Sequence, residues 1–212
     1  MKDSFPINTL SAATGRFVPK PAMRIGLLGG TFDPIHQGHL ALAEAALKQL
    51  KLDRFYFIPT YQHPLEKKDA QASASDRLEM IKLAIQNQPK LAVSNFEVKR
   101  EGVSYTVDTI KEFRKQFPKP NGLFFITGGD WGKNLDQWKE IDTIFSLAHF
   151  VVASRPGFDL NNLPQSVEVL DFVPLNVSST QLRRDIKEGK IPERFLSSDV
   201  IAYIKKQQLY RA

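Results

Sequence analysis

Short apolar runs alternate with amphipathic stretches along this chain at the lengths of strands and helices. Residues 24–28, 54–59, 91–96, 122–127, 150–153 and 167–172 are brief apolar segments bounded by polar or glycine-bearing loops, the pattern of buried strands. Longer stretches between them repeat apolar positions with helical period. These are about 37–50, then 75–87 with Leu78, Ile81 and Ile85, and 106–117 with Val107, Ile110 and Phe113. Residues 178–187 and 197–208 close the chain as helices. The alternation predicts an α/β fold, a doubly wound parallel sheet with right-handed crossovers and a C-terminal helical part. Such sheets bind ligands beyond the carboxyl ends of their strands. The loop after the first strand, Thr60-Tyr61-Gln62, Gly128-Gly129-Asp130 and the 174–180 loop are therefore expected at one edge.

Residues 1–22 break this rhythm. Ser4, Pro6, Ser11, Gly15, Pro19 and Pro21 interrupt any apolar period, and Met23 stands directly before the first core strand. The expectation is a poorly ordered extension over 1–22, or a start at Met23, followed by a single domain over 23–212. At 212 residues the chain is long enough for one well-buried core. No apolar run reaches membrane-spanning length, and no signal-peptide core is visible near the N-terminus. Cysteine is absent, which excludes disulfides and thiolate zinc sites and suits a reducing cytoplasm. A net charge of +6 invites a nucleic-acid reading, but the 29 basic residues are interleaved with 23 acidic ones and form no block. The balance suits phosphate-bearing small substrates steered into a cleft; neither nucleic acid nor membrane is the expected partner. Oligomeric state is not readable from the chain.

The densest chemistry lies in Gly29-Gly30-Thr31-Phe32-Asp33-Pro34-Ile35-His36-Gln37-Gly38-His39, between the first strand and its helix. Glycines allow close backbone approach to an anion, and a helix N-terminus adds unpaired N–H groups with a favourable dipole. His36 and His39, three apart across the helix start, can face one ligand, and Gly38 carries no side chain to block it. The segment lacks the G-x-x-x-x-G-K-[ST] of a P-loop and the G-x-G-x-x-G of a dinucleotide fold. What it presents is H-x-G-H after a strand. A second constellation, Val177-Ser178-Ser179-Thr180-Gln181-Leu182-Arg183, places hydroxyls at a helix start with an arginine one turn on. Those groups suit phosphate oxygens, although Ser and Thr at a helix start are also ordinary caps.

Together the two segments resemble the signatures of the nucleotidylyltransferase superfamily, the second departing from I-S-S-T-x-[IL]-R only in Val177. From about Met23 onward the chain is more closely similar to bacterial nicotinate-mononucleotide adenylyltransferases. The similarity is carried by residues 29–40, Asp76-Arg77-Leu78-Glu79-Met80, Ser104-Tyr105-Thr106-Val107-Asp108-Thr109, Phe125–Asp130 with Trp138, and Ser154-Arg155-Pro156-Gly157. It departs at Gln62-His63-Pro64-Leu65-Glu66-Lys67-Lys68, where that family carries Pro-Pro-His-Lys.

The resemblance implies a Rossmann-like nucleotidylyltransferase fold and transfer of the adenylyl group of ATP to nicotinate mononucleotide. His36, His39 and Arg183 are the implied catalytic residues. Gly29, Gly30, Thr31, Phe32, Gly38, Ser178, Ser179 and Thr180 would bind ATP, with Thr31 and Phe32 giving backbone donors. Thr106, Asp130, Trp138 and Arg155 would bind the pyridine nucleotide, Trp138 by stacking on its ring. Mg2+ would come with ATP, and no metal is expected on the protein itself. Nicotinamide mononucleotide is the alternative acceptor, since acid and amide differ by one charge. A non-catalytic nucleotide-binding regulator is the alternative of another class, against which intact His36, His39 and Arg183 argue.

Overall fold

The computed structural model describes residues 8–10, 17–19, 23–64, 70–117, 122–128, 135–154 and 163–211. Six parallel strands form the central sheet: β3 (Arg24–Gly30), β4 (Arg54–Pro59), β5 (Leu91–Val93), β6 (Gly122–Gly128), β7 (His149–Ser154) and β8 (Val167–Asp171). Their order across the sheet is β5-β4-β3-β6-β7-β8. Chain direction across the sheet reverses between β3 and β6, and a crevice opens at that point beyond the strand ends. Two short strands, β1 (Asn8–Leu10) and β2 (Phe17–Pro19), pair antiparallel in a separate sheet. The remainder of the predicted extension over 1–22 lies outside the described residues.

The strands alternate their side chains between two cores, as strands buried on both faces must. Leu28, Phe55, Phe57, Phe124, Ile126 and Val151 point to one core, with Leu42, Ala43 and Ala46 of α1 (Gln37–Gln49) and Met80 and Ile81 of α2 (Ala74–Ile85). Ile25, Leu27, Leu123, Phe125, Phe150 and Val152 point to the other. That side is closed by Val107, Ile110 and Phe113 of α4 (Thr106–Gln116) and Ile144 of α5 (Ile141–Leu147). Helices α6 (Ser179–Lys187) and α7 (Ser198–Lys206) supply Leu182, Val200 and Ile204 to the first core. No helix among the described residues is long and apolar enough to cross a membrane.

Three departures from the sequence reading have local causes. The third strand stops at Val93, because Ser94 Oγ accepts the Phe96 N–H and turns the chain into the short helix α3 (Phe96–Arg100). That helix and α5 are too short for their period to register. In α2 the buried face carries Arg77, Met80, Ile81 and Ile85 rather than Leu78, because Arg77 has a polar task inside the fold.

Candidate active site

A cleft of about 1670 Å³ lies over the carboxyl ends of β3 and β6. Its walls include Gly29 through Asp33, His36, His39, Thr60, Thr106, Trp138 and Ser178 through Arg183. The predicted convergence of loops is present among the described residues; Asp130 and Arg155, like Gly129, Lys67 and Lys68, lie outside them.

His36 is the N-cap of α1, and the two histidines form a reciprocal capping box. The Gly38 N–H donates to His36 Nδ1 and the His36 N–H donates to His39 Nδ1, both at 3.2 Å. A ring nitrogen that accepts from a backbone amide carries no proton, so each neutral ring bears its hydrogen on Nε2. The rings stack with centroids 3.8 Å apart. Burial pushes the His36 pKa down to about 4, and burial with the neighbouring His36 holds His39 well below its ordinary value. The site thus offers two Nε2–H donors on neutral imidazoles, fixed by the backbone they cap. Phe32, at a left-handed φ of 50°, sets its ring edge-on to His39 with centroids 5.0 Å apart.

The capping box alters one sequence expectation. The start of α1 was to supply unpaired N–H groups to an anion. Instead Gln37 N–H donates to the Phe195 carbonyl at 2.9 Å, Gly38 N–H to His36 Nδ1, and His39 N–H to the His36 carbonyl. Helix α6 has the unpaired donors. Ser178 caps it by accepting the Gln181 N–H at 3.2 Å, while the Ser179 and Thr180 N–H groups have no partner among the described residues. The glycines also act otherwise than expected. Gly29 and Gly30 are the last residues of β3, still paired with Ile58 and Pro59, and the turn begins at Thr31. A Cβ on Gly30 would stand 3.0 Å from the Phe32 ring, and one on Gly38 would stand 3.0 Å from both the His36 ring and Val177. These glycines make room for rings.

The two signature segments are bonded to each other. Ser179 Oγ donates to the Pro34 carbonyl at 3.0 Å, and Arg183 Nη1 donates to the Asp33 carbonyl at 2.7 Å. The Asp33 carboxylate accepts the Gln71 and Ala72 N–H groups and the Tyr210 hydroxyl. The fully buried Arg77 donates to the carbonyls of Thr31 and Thr60, each at 2.7 Å, so one guanidinium braces the ends of β3 and β4. Sequence reasoning gave no role to Arg77, because a buried polar residue on an amphipathic helix leaves no periodic signal, nor to Tyr210, which lies beyond the last helix and meets Asp33 only through the fold. Among the described residues no group of three or more His, Asp or Glu could hold a metal ion.

The far side of the cleft is built on α4. The Tyr61 N–H donates to Ser104 Oγ and the Ser104 N–H to the Gln62 carbonyl, which fixes the approach to that helix. Tyr105, its N-cap, makes no side-chain cap bond, and the Thr106 and Val107 N–H groups have no partner among the described residues. Buried Glu97, also missed from sequence, accepts from the Thr109 hydroxyl beneath this turn, and its pKa is raised by burial. Trp138 packs edge-on against Phe125 and Phe150 while lining the cleft, and its buried Nε1 has no partner among the described residues. Lys139 lies 4.2 Å above the Tyr105 ring and links the two walls.

Residues 27–185 match the model of the cytidylyltransferase-like family. A relative named "Probable nicotinate-nucleotide adenylyltransferase" from Desulfitobacterium hafniense strain Y51 is 42% identical over 202 residues, 90% of this chain and 97% of its own. One of the same name from Thermus thermophilus is 44% identical over 190 residues, 89% of this chain and all of its own. The solved Plasmodium falciparum nicotinic acid mononucleotide adenylyltransferase complexed with NaAD shares the fold with a TM-score of 0.73. It is 19% identical, covering 89% of this chain and 97% of that one. By its sequence, its sheet order and its paired H-x-G-H and S-S-T-x-L-R segments, the chain belongs to the cytidylyltransferase-like family, among the nicotinate-nucleotide adenylyltransferases.

Proposed function

We propose that the chain transfers the adenylyl group of ATP to nicotinate mononucleotide, giving nicotinic acid adenine dinucleotide and pyrophosphate. The acceptor 5′-phosphate is anionic at neutral pH and attacks the α-phosphorus of ATP without a general base. Rate then comes from in-line placement and from donors at the oxygens where charge builds up. His36 and His39 supply Nε2–H donors there, since neutral rings can donate without changing protonation state. The Ser179 and Thr180 N–H groups, the Thr180 hydroxyl and Arg183 hold the rest of the triphosphate. Mg2+ enters as Mg-ATP, held by phosphates and water; Asp33, in the histidine loop, spends its carboxylate on Gln71, Ala72 and Tyr210.

The choice of acceptor rests on the start of α4. Two N–H groups without a partner among the described residues stand at a helix mouth, with Thr106 in the cleft wall. They favour an anionic ring substituent over a neutral amide. Trp138 is the flat surface for the pyridinium ring. From the family resemblance, Asp130 is assigned to a ribose hydroxyl of the acceptor and Arg155 to its phosphate. The setting proposed is the cytoplasm, in keeping with a cysteine-free chain.

Pyrophosphate release from Mg-ATP, run in parallel with nicotinate and nicotinamide mononucleotides, tests the reading. The acid is expected to be used at least about tenfold more efficiently, the worth of one charge-assisted hydrogen bond. Preference for the amide overturns the acceptor; silence with both overturns the reaction.

A further inference from the structure

Tyr210 lies beyond the last helix, far from the cleft in sequence, yet its hydroxyl reaches the histidine loop. The chain takes left-handed backbone at Gln208 (φ 55°) and again at Tyr210 (φ 63°) to bring the ring inward, a conformation that non-glycine residues adopt only when held. The ring is buried, and its hydroxyl donates to Asp33 Oδ1 at 2.7 Å. Ala72 N–H donates to the same oxygen at 3.1 Å and Gln71 N–H to Oδ2 at 2.8 Å.

Arg183 stands beside this carboxylate in a long ion pair, without closing on it. Its Nη1 is 3.8 Å from Oδ2 but only 2.7 Å from the Asp33 backbone carbonyl, and its buried Nε has no partner among the described residues. A guanidinium next to a buried carboxylate ordinarily forms two short parallel bonds. Here Tyr210 and the Ala72 N–H fill Oδ1, one of the two oxygens such a fork needs, while Oδ2 accepts from the Gln71 N–H and faces Arg183 only at a distance. The other nearby cation, Arg77, is committed to the carbonyls of Thr31, Thr60 and Ala72.

We propose that Tyr210 is a positioning residue: by occupying Asp33 Oδ1 it keeps the ion pair between Asp33 and Arg183 long and single-ended, and so leaves the guanidinium available to the triphosphate. This rests on the reading that Arg183 binds ATP. Burial and the Asp33 charge raise the Tyr210 pKa, so the hydroxyl remains a donor across the working range of the enzyme. Removing it leaves Oδ1 short of one donor, and Arg183 is the cation that can turn to replace it.

The test is ATP affinity by calorimetry, with Mg-ATP and the full chain, for the native protein, Tyr210→Phe, Arg183→Ala and the double variant. Tyr210→Phe is expected to weaken ATP about fivefold in the native background, one ordinary hydrogen bond's worth, and less than about twofold once Arg183 is gone. The KM for the acceptor should not move. An equal loss in both backgrounds would show that Tyr210 only steadies the loop, and no loss in either would remove the effect; each overturns the proposal. Arg183→Ala binding as tightly as the native chain removes its premise and overturns it too. A chain showing the coupling but no turnover with nicotinate mononucleotide refutes the acceptor assignment and supports the positioning role.

Discussion

Helices α1 and α6 begin at the same cleft and meet it in opposite ways. At α1 the N–H groups of Gln37, Gly38 and His39 are all taken by protein atoms, one of them by the His36 ring. At α6 the cap Ser178 accepts from Gln181, and the Ser179 and Thr180 N–H groups are left over among the described residues. The first helix uses up its orphan donors to orient two imidazoles; the second leaves its own bare. Both present donors to an anion, but one set consists of side chains with a fixed tautomer and the other of backbone. An N-terminus is thus either a binding site or a mounting for one.

The largest expected break in this contrast is His39→Ala. It removes one Nε2–H donor and the acceptor of the His36 N–H, and kcat should fall on the order of 10²–10³-fold, read by pyrophosphate release. The helix itself should persist by circular dichroism, because the His36 cap remains. Next comes acid. The folded pKa of His36 is lowered from 6.5 to about 4, so the unfolded chain takes up the proton first as pH falls. Its contribution to stability is complete above about pH 6.5 and is lost progressively toward pH 4, by roughly 3 kcal/mol in total. Urea unfolding from about pH 8 to about pH 4 should show a slope of at least that size, and His36→Asn, which keeps a capping side chain without titrating, should reduce it to the part that buried His39 contributes.

Gly38→Ala probes the mounting alone. Its Cβ would press on the His36 ring and Val177, which should cost about 1–3 kcal/mol of stability and lower kcat/KM without touching a donor. The smallest effect is expected at the other helix, where Ser178→Ala removes only the cap. Thermal unfolding should report a loss of about 1 kcal/mol, with the KM for ATP little changed, since Ser179 and Thr180 keep their N–H groups. A large KM change in this last variant would mean that Ser178 touches the nucleotide itself.

The sheet was legible because buried parallel strands leave dense apolar runs: all six core strands lie where those runs stand. Leu91-Ala92-Val93 was overextended because Phe96 continues the apolar run, while the turn is made by the Ser94 hydroxyl. At the site, H-x-G-H and S-S-T-x-L-R were readable because their spacing is local. What pairs them is not local. The bond from Ser179 to the Pro34 carbonyl, the bracing by Arg77 and the anchoring of Asp33 by Tyr210 follow from three-dimensional neighbours. The Gly38–His36 contact was hidden for a different reason: nothing in the sequence says that a histidine ring, rather than an incoming anion, will take a helix N–H.

The bonds that hold the histidine loop also carry a kinetic meaning. Ser179 to Pro34 spans 145 positions, Arg183 to Asp33 spans 150, and Tyr210 to Asp33 spans 177. Contacts of such separation form only after the intervening chain has already been brought together, because loop closure must be met before they return anything. During refolding, secondary structure should therefore recover before turnover does. In amide exchange the hydrogens of Gln71 and Ala72, bonded to Asp33, should exchange well before those of the β3–β6 ladder. Activity is in this sense a report that the last long-range contacts have closed.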